Sequence, residues 1–259
     1  MWGAIIGDLA GSIYEYDQVK EVSNVQINNI IEPESFYSDD TILTVAVLDA
    51  ILHDKDYEKY LKSYGKSYFD YLPDYQPYFK TSFSPNFMKW IIGKNACYSI
   101  GNGAMMRISP IGYLFDNEEE ILNNVYEATI PSHNSKETID CATIIAMIIF
   151  LARKGYSKQE IIDYLNIKLT FVPFSKFNST CLDTIDNCLY ALFTTDSFES
   201  ALRTVISYGG DTDTNACIVG SMAEAFYGVD EALIQQARKK LPDDFVKKID
   251  LVYSKIIKY

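Results

Sequence analysis

The chain has 259 residues, of which 48% are hydrophobic, and it carries a formal net charge of −12. Its 23 lysine and arginine residues are scattered along the chain and form no basic stripe, so we expect no nucleic-acid partner. The apolar content suffices for one large core, and no linker-like or repeated segment divides the chain. We therefore predict one domain spanning residues 1–259.

The N-terminus and the cysteines favour a cytoplasmic protein without a membrane segment. The first eight residues include Asp8 but no basic residue, so we expect no signal peptide. The longest apolar run, residues 141–152, is interrupted only by Thr143 and is shorter than the roughly 20 residues that cross a membrane. An odd number of cysteines without a CxxC pair predicts buried, reduced thiols. These cysteines are Cys97, Cys141, Cys181, Cys188 and Cys217.

The first predicted element is a helix with three glycines on one face. Gly3, Gly7 and Gly11 are spaced four residues apart, so a neighbouring helix could approach this face closely. Asp8 and Glu15 are separated by two helical turns and would share a face of the same helix. We expect Asp8 to be buried and hydrogen-bonded, and Glu15, at the helix end, to reach a cavity.

An acidic cluster opens the next element. Ser38, Asp39 and Asp40 precede residues 42–52, which are almost entirely apolar. A helix without a polar face is typical of the centre of a large bundle. One interpretation is that Ser38 caps this helix and that the two acids complement its dipole. The other is a metal site.

A glycine-rich segment lies at residues 99–107. Ser99, Gly101, Asn102 and Gly103 could bring backbone N–H groups close to an anion. The alternative is an ordinary glycine-rich turn. The segment lacks the GK[ST] ending of a Walker A motif and does not read GxGxxG.

The two histidines differ in their surroundings. His53 ends the apolar segment 42–52 and is expected to be structural. His133 lies in a polar loop between Ser132 and Asn134. It is either a ligand-binding residue or a structural one.

Helix start and stop signals recur in the second half of the chain. Capping-box patterns begin at Asp116, Ser157 and Asp196, each with a glutamate three residues later. Three glycines follow apolar helical segments and predict helix ends. They are Gly155, Gly209 and Gly228. Because strand-like alternation is nearly absent, the sequence predicts an all-α protein.

A second acidic cluster precedes another apolar segment. Asp211, Asp213 and Thr214 follow two glycines and lead into residues 216–226. Buried carboxylates repel one another and are costly to desolvate unless they are paired or bound to metal, and no basic cluster accompanies them. Oxygen ligands without histidine or cysteine suit Mg²⁺ or Mn²⁺. The two clusters together therefore favour a site for two neighbouring ions over helix capping alone.

These motifs, in this order, resemble those of the ADP-ribosylglycohydrolase family, the relatives of dinitrogenase reductase-activating glycohydrolase. The resemblance spans essentially the whole chain. It is carried by residues 3–8 with 14–15, 38–41, 101–103 with 106–107 and 110, 132–134, 209–214 and 223–228. Each motif is weakly specific alone, but the ordered set is highly specific.

The resemblance implies a compact all-α fold, an orthogonal multi-helix bundle with two Mg²⁺ or Mn²⁺ ions at the base of a cleft. It implies that Glu15 is the catalytic carboxylate. The implied metal-binding residues are Ser38, Asp39, Asp40, Asp211, Asp213 and Thr214. The implied substrate-binding residues are Ser99, Gly101, Asn102, Gly103, Met105 and His133. Residues 99–105 would hold the diphosphate, and His133 would contact a phosphate or a ribose.

Three features depart from the family's usual pattern. Ser38 stands where the family usually has threonine, and its hydroxyl can still bind a metal. Ala104 and Met105 stand where close bacterial relatives often have serine and alanine, which could alter contacts to the diphosphate or adenine. Only 22 residues separate Glu15 from Ser38, which leaves little chain for a lid over the substrate.

The activity implied by the resemblance is hydrolysis of the bond between C1″ of ADP-ribose and an acceptor. The acceptor would be a modified protein or a small molecule. Two ions would polarise the ribose hydroxyls while Glu15 manages a proton, in a reaction of the glycoside-hydrolysis type.

Two alternatives stay open at this point. One is a non-catalytic relative that binds ADP-ribose or has a structural role, and the other is a two-metal hydrolase of another glycosyl or phosphate substrate. The presence of Glu15 and of both acidic clusters favours an enzyme over the non-catalytic relative. It does not distinguish between substrates, because acidic clusters define metals better than ligands. The acceptor linkage and the metal are not determined by the sequence, and we expect a monomer.

Overall fold

A computed structural model describes residues 1–15, 27–73, 82–93, 98–174 and 177–256. Its helices are α1 (Trp2–Gly11), α2 (Asp39–Leu52), α3 (Tyr57–Ser67), α4 (Pro85–Ile92), α5 (Gly103–Met106), α6 (Ser109–Leu114), α7 (Glu118–Thr129), α8 (Lys136–Arg153), α9 (Lys158–Leu165), α10 (Cys181–Thr194), α11 (Phe198–Ser207), α12 (Thr212–Tyr227), α13 (Glu231–Arg238) and α14 (Asp243–Ile256). Extended pairing within these ranges is limited to two isolated bridges, Tyr98 with His133 and Gly101 with Thr180. The predicted all-α class is confirmed.

Helices α1 and α12 form the closest helix pair in the core. Every residue of α1 is buried, and the three glycines predicted to form a smooth face lie against the backbone of α12. A Cβ atom added to Gly7 would lie 2.0 Å from the carbonyl oxygen of Ala216, and one added to Gly11 would lie 2.1 Å from that of Thr212. No side chain larger than hydrogen fits at these positions, so the glycines set the distance between the two helices.

The two apolar helices predicted to be central are buried on all sides. Residues 40–50 of α2 and residues 212–223 of α12 are buried without interruption. Helix α12 packs against α1, α8, α10 and α11, while α2 packs against α1, α3, α6 and α14. Since α1 contacts both helices, it holds their N-terminal ends, and hence the two acidic clusters, in one region.

The helix caps agree with the sequence in part. The capping box of Ser157 is present at the start of α9. The boxes predicted at Asp116 and Asp196 are wrong by one residue, because Asn117 caps α7 and Ser197 caps α11. Asparagine and serine cap a helix as well as aspartate does, so the pattern alone could not choose between neighbours.

Two further predictions concern glycines and cysteines. Gly155, Gly209 and Gly228 have φ angles of 87°, 74° and 69°, as expected of residues that end helices. The four cysteines within the described residues are buried and free: Cys141, Cys181, Cys188 and Cys217. Cys97 lies outside these residues. Within the same ranges, none of the helices combines the length and apolar character needed to cross a membrane.

Candidate active site

A cavity of about 630 Å³ opens where the N-termini of α2 and α12 meet the loop that precedes α5. Five carboxylates line it: Glu15, Asp39, Asp40, Asp211 and Asp213. The lining also includes the glycine-rich loop, His133, Arg107 and apolar residues at the start of α4. The chain thus brings both acidic clusters, the glycine loop and His133 into one cavity.

The first cluster begins with a serine cap. Ser38 is fully buried, and its hydroxyl oxygen accepts a hydrogen bond from the Asp40 amide at 3.2 Å. Asp39 lines the cavity, and its amide donates to Oγ of Ser82 at 3.0 Å. The predicted cap at Ser38 is therefore present. It does not replace a metal site, because the carboxylates of Asp39 and Asp40 are left to face the cavity.

The buried carboxylate of Asp8 is hydrogen-bonded to residues of this cluster. Its Oδ2 accepts hydrogen bonds from the amides of Ser38 at 2.9 Å and Thr41 at 3.1 Å, and from the Thr41 hydroxyl at 2.5 Å. Its Oδ1 accepts from the Ser38 hydroxyl at 2.8 Å. Asp8 is buried and hydrogen-bonded, as the sequence predicts. It also lies close to Asp40, which the sequence analysis missed; an acid in a wholly apolar helix was the available signal.

The second cluster is shaped by two glycines and Asn178. Gly209 and Gly210 have φ angles of 74° and 73°, a conformation that other residues rarely adopt. The Asp211 amide donates to Oδ1 of Asn178 at 2.9 Å. The Thr214 hydroxyl donates to Oδ2 of Asp40 at 3.1 Å and so connects the two clusters.

The carboxylates form two groups that share one residue. Oxygen atoms of Asp8, Asp40 and Asp213 all lie within 4.8 Å of one another, as do those of Glu15, Asp211 and Asp213. Two adjacent groups of three oxygen donors fit the ligand preferences of Mg²⁺ and Mn²⁺. Asp39 belongs to neither group, although it lines the same cavity.

Glu15 lies beyond the end of α1, whereas the sequence predicted it to lie on that helix. Helix α1 ends at Gly11, and the Ser12 hydroxyl donates to the Leu9 carbonyl at 2.9 Å. Glu15 therefore lies in the turn that follows, and it does not share a helical face with Asp8. The predicted helix was one turn too long, because residues 12–15 contain no glycine or proline that would mark its end.

Burial and mutual repulsion raise the pKa values of the carboxylates in this cavity. Burial, followed by the charge of Asp8, raises the pKa of Asp39 to about 7. Burial, followed by the charge of Glu15, raises the pKa of Asp211 to about 7. The pKa values of Asp40 and Asp213 are raised well above the ordinary range, again by burial and then by neighbouring acids.

The surroundings of one carboxylate oxygen also favour a bound cation. Oδ1 of Asp40 is buried and has no hydrogen-bond partner within the described part of the chain. A buried acceptor without a donor is costly. A divalent cation at this position would satisfy that oxygen and favour the ionised form of the surrounding carboxylates.

Two backbone amides of the glycine-rich loop donate hydrogen bonds within the protein. The Gly101 amide donates to Oγ of Ser99 at 3.0 Å, and the Asn102 amide donates to the carbonyl of Ser179 at 3.0 Å. The Asn102 side chain donates to Oδ2 of Asp211 at 2.7 Å. Ser99, Gly101, Asn102 and Gly103 line the cavity, whereas Met105 is buried and the cavity wall contains Met106 instead.

His133 lines the cavity above this loop and is 5% exposed. Its Nε2 lies 3.7 Å and 3.6 Å from the positions that Cβ atoms at Gly101 and Gly103 would occupy. Burial, together with the charge of Arg107, lowers the pKa of His133 well below its ordinary value. A neutral imidazole therefore faces the space above the loop.

Comparison with known proteins gives a match over nearly the whole chain. A profile of the ADP-ribosylglycohydrolase family matches residues 1–257. The chain is 25% identical to a putative ADP-ribosyl glycohydrolase of Acanthamoeba polyphaga mimivirus, over 87% of the chain and 84% of that protein. It is 27% identical to the ADP-ribosyl-[dinitrogen reductase] glycohydrolase of Rhodospirillum rubrum, over 58% of the chain and 51% of that protein. A solved structure described as an ADP-ribosylglycohydrolase-related protein complex aligns with a TM-score of 0.71 at 17% identity, covering 99% of this chain and 92% of that one.

Proposed function

Because the chain belongs to the ADP-ribosylglycohydrolase family, we propose that it is a metal-dependent hydrolase of ADP-ribose conjugates. It would cleave the glycosidic bond at C1″ and release free ADP-ribose. The observation that carries this proposal is a pair of adjacent carboxylate groups, Asp8, Asp40 and Asp213 beside Glu15, Asp211 and Asp213, whose members other than Asp8 line one cavity. Membership of the family agrees with the predicted enzyme class, a hydrolase acting on glycosyl bonds.

The proposed cofactor is a pair of divalent cations, Mg²⁺ or Mn²⁺. The residues that would hold them line the cavity: Asp39, Asp40, Asp211, Asp213 and Thr214. The sharing of Asp213 between the two groups supports two neighbouring ions over one. Cations bound here would act as Lewis acids and as a template for the hydroxyls of the substrate ribose.

Ser38 and Asp8 would support the metal-binding carboxylates without lining the cavity themselves. Ser38 is fully buried and does not line the cavity, and Asp8 already accepts four hydrogen bonds. These bonds fix the backbone of Ser38 and Thr41, and through it the direction in which Asp39 and Asp40 point. Removal of either side chain would therefore displace the carboxylates that follow.

The ADP part of the substrate would lie against the glycine-rich loop. Ser99, Gly103 and His133 line the cavity and offer polar groups to the phosphates or the ribose. The amides of Gly101 and Asn102 already donate hydrogen bonds within the protein. The loop would therefore bind the phosphates through side chains more than through backbone N–H groups. Met105 would act by supporting the loop from the core.

Glu15 would handle the proton of the reaction. It lines the cavity, and an oxygen of its carboxylate lies within 4.8 Å of oxygens of Asp211 and Asp213. In the hydrolysis, water oxygen bonds to C1″, the bond from C1″ to the acceptor breaks, and one water proton ends on the acceptor. Glu15 is placed to take that proton from water and pass it on.

The acceptor would be a modified protein or a small molecule. The name of the Rhodospirillum rubrum relative specifies an ADP-ribosylated protein, which favours a protein acceptor here. The cytoplasmic location, the monomeric state and the single domain over residues 1–259 stay predictions from the sequence.

The proposal is tested with the purified protein and ADP-ribosylated peptides. Arginine-linked and serine-linked peptides are incubated with Mg²⁺, and free ADP-ribose is measured by chromatography. We expect release from at least one peptide, its loss on addition of EDTA, and its loss in Glu15→Gln. Absence of release from both peptides and from a small-molecule conjugate, with metal bound, would refute the proposed activity.

A further inference from the structure

A buried chain of hydrogen bonds leads from Arg107 to His133 at the wall of the cavity. Nη2 of Arg107 donates to Oγ of Ser132 at 2.6 Å and to the carbonyl of Ala128 at 3.3 Å. Oγ of Ser132 lies 2.8 Å from Nδ1 of His133. Arg107 and Ser132 are 1% and 0% exposed, so water does not compete for these bonds.

This arrangement determines which imidazole nitrogen carries the hydrogen. A serine hydroxyl has one hydrogen to donate, and within the described residues the side-chain partners of Ser132 are Arg107 and His133. The arginine can only donate, so the serine accepts from it. If the serine also accepted from Nδ1 of His133, its own buried hydrogen would have no side-chain acceptor among the described residues, which is costly. The serine therefore donates to Nδ1. Nδ1 is then an acceptor, and in a neutral ring the hydrogen lies on Nε2.

The backbone holds the ring in place as well. The His133 amide donates to the carbonyl of Thr129 at 2.9 Å, and the Thr138 hydroxyl donates to the carbonyl of His133 at 2.8 Å. The Ser99 amide donates to the carbonyl of Ser132 at 3.1 Å, which ties this segment to the glycine-rich loop. Nε2 therefore has a fixed position above Gly101 and Gly103.

We propose that Arg107 and Ser132 are positioning residues that keep His133 as a neutral ring with its hydrogen on Nε2, directed into the cavity. His133 is then a permanent hydrogen-bond donor, selective for an acceptor oxygen. Such oxygens are present on the phosphates and the ribose of ADP-ribose. The identity of that ligand rests on the proposed function, whereas the tautomer does not.

The tautomer is tested by ¹H–¹⁵N NMR of the imidazole rings in the intact protein. The chain has two histidines, and His53→Gln leaves only the signals of His133. We expect a neutral ring with hydrogen on Nε2 in the wild-type protein and a mixture of tautomers in Ser132→Ala. A ring protonated on Nδ1, a doubly protonated ring at pH 7, or an unchanged spectrum in Ser132→Ala would overturn the proposal.

The role in binding is tested by calorimetry with ADP-ribose, and separately with Mn²⁺ alone. Loss of a fixed donor should weaken ADP-ribose binding about fivefold or more in Ser132→Ala, while Mn²⁺ affinity stays the same. The matched control is Ser109→Ala, since Ser109 is also fully buried and its hydroxyl has no hydrogen-bond partner in the described structure. Equal ADP-ribose affinity in Ser132→Ala and Ser109→Ala would contradict the proposed role.

A conservative replacement of His133 distinguishes the effect of the hydrogen-bond donor on ADP-ribose affinity from the effect of the ring's shape. The amide nitrogen of glutamine can occupy a place near Nε2, so His133→Gln should retain more affinity for ADP-ribose than His133→Ala. The reverse order would overturn the assignment of a donor. If the wild-type protein binds no ADP-ribose, the proposed function and the ligand named here fail together, and the NMR result still decides the tautomer.

Discussion

Substitution of Gly7 by alanine tests whether the distance between α1 and α12 matters for stability and for the metal site. The new Cβ would lie 2.0 Å from the carbonyl oxygen of Ala216, whereas real Cβ atoms essentially never approach closer than 3.0 Å. The obstacle is helix backbone and cannot rotate away. The two helices must therefore part by about 1 Å.

The expected loss of stability follows from two opposing effects. Overpacking in a well-filled core costs typically about 1–3 kcal/mol, and a rigid backbone obstacle places Gly7→Ala at the upper end. Alanine in place of glycine within a helix recovers about 1 kcal/mol. We expect a net loss of about 2 kcal/mol, which lowers the melting temperature of a chain of this size by about 4–8 °C.

The assay is thermal and urea unfolding of the metal-free protein, with Mn²⁺ affinity measured by calorimetry. Gly65→Ala is the matched control, because Gly65 is a buried helical glycine. The nearest atoms to its added Cβ, at 2.9–3.1 Å, belong to the side chains of Ile91 and Phe87, which can move aside, whereas helix backbone cannot. We expect Gly65→Ala to be near neutral. Mn²⁺ affinity should fall in Gly7→Ala, since α1 carries Asp8 and α12 carries Asp213. Equal stability of the two variants would refute the reasoning.

Four further outcomes are expected. Asp213→Asn should weaken Mn²⁺ binding by at least about tenfold, since both carboxylate groups share this residue, and calorimetry would contradict this by showing equal affinity. Glu15→Gln should lower turnover by about 10²–10⁴-fold while ADP-ribose binding is largely kept; an active variant would move the proton-handling role to another carboxylate. Gly103→Val should weaken ADP-ribose binding but not Mn²⁺ binding, because its side chain would crowd Nε2 of His133; unchanged ADP-ribose affinity would count against the loop as a binding element. The raised pKa values of Asp39 and Asp211, about 7 in the folded protein, mean that the folded state binds more protons than the unfolded state between about pH 4 and pH 7. Metal-free protein should therefore lose stability as the pH rises from 5 to 8, with Mg²⁺ restoring it at pH 8, and a melting temperature independent of pH and Mg²⁺ would disprove this.

The sequence predicted features that depend on local pattern. The glycine stripe of α1, the buried course of α2 and α12, and the acidic residues at their N-termini all follow from spacing and polarity alone. The family was predicted from the order of the motifs, and the profile match confirms it. These features are robust because a helix of period 3.6 fixes which residues share a face.

Other features depend on contacts that no local pattern contains. Helix α1 ends at Gly11, and the hydroxyl oxygen of Ser12 accepts a hydrogen bond from the amide of Phe36, 24 positions away. The four hydrogen bonds to Asp8 come from residues about 30 positions away. Whether Met106 or its neighbour Met105 lines the cavity depends on how the short helix α5 is turned. These three features follow from tertiary contacts, so they are visible only in the folded structure.

The hydrogen bond from the Asn102 side chain to Asp211 couples the glycine-rich loop to the second acidic cluster. One residue of the glycine-rich loop is hydrogen-bonded to a carboxylate of the proposed ion site, so a change in the charge or position of Asp211 alters the energy of the loop. By thermodynamic reciprocity, a cation that improves the loop's affinity for a ligand by some factor must itself be held more tightly, by the same factor, once that ligand is bound. Occupancy of the cations in a cell would then follow the supply of substrate as well as the concentration of free metal.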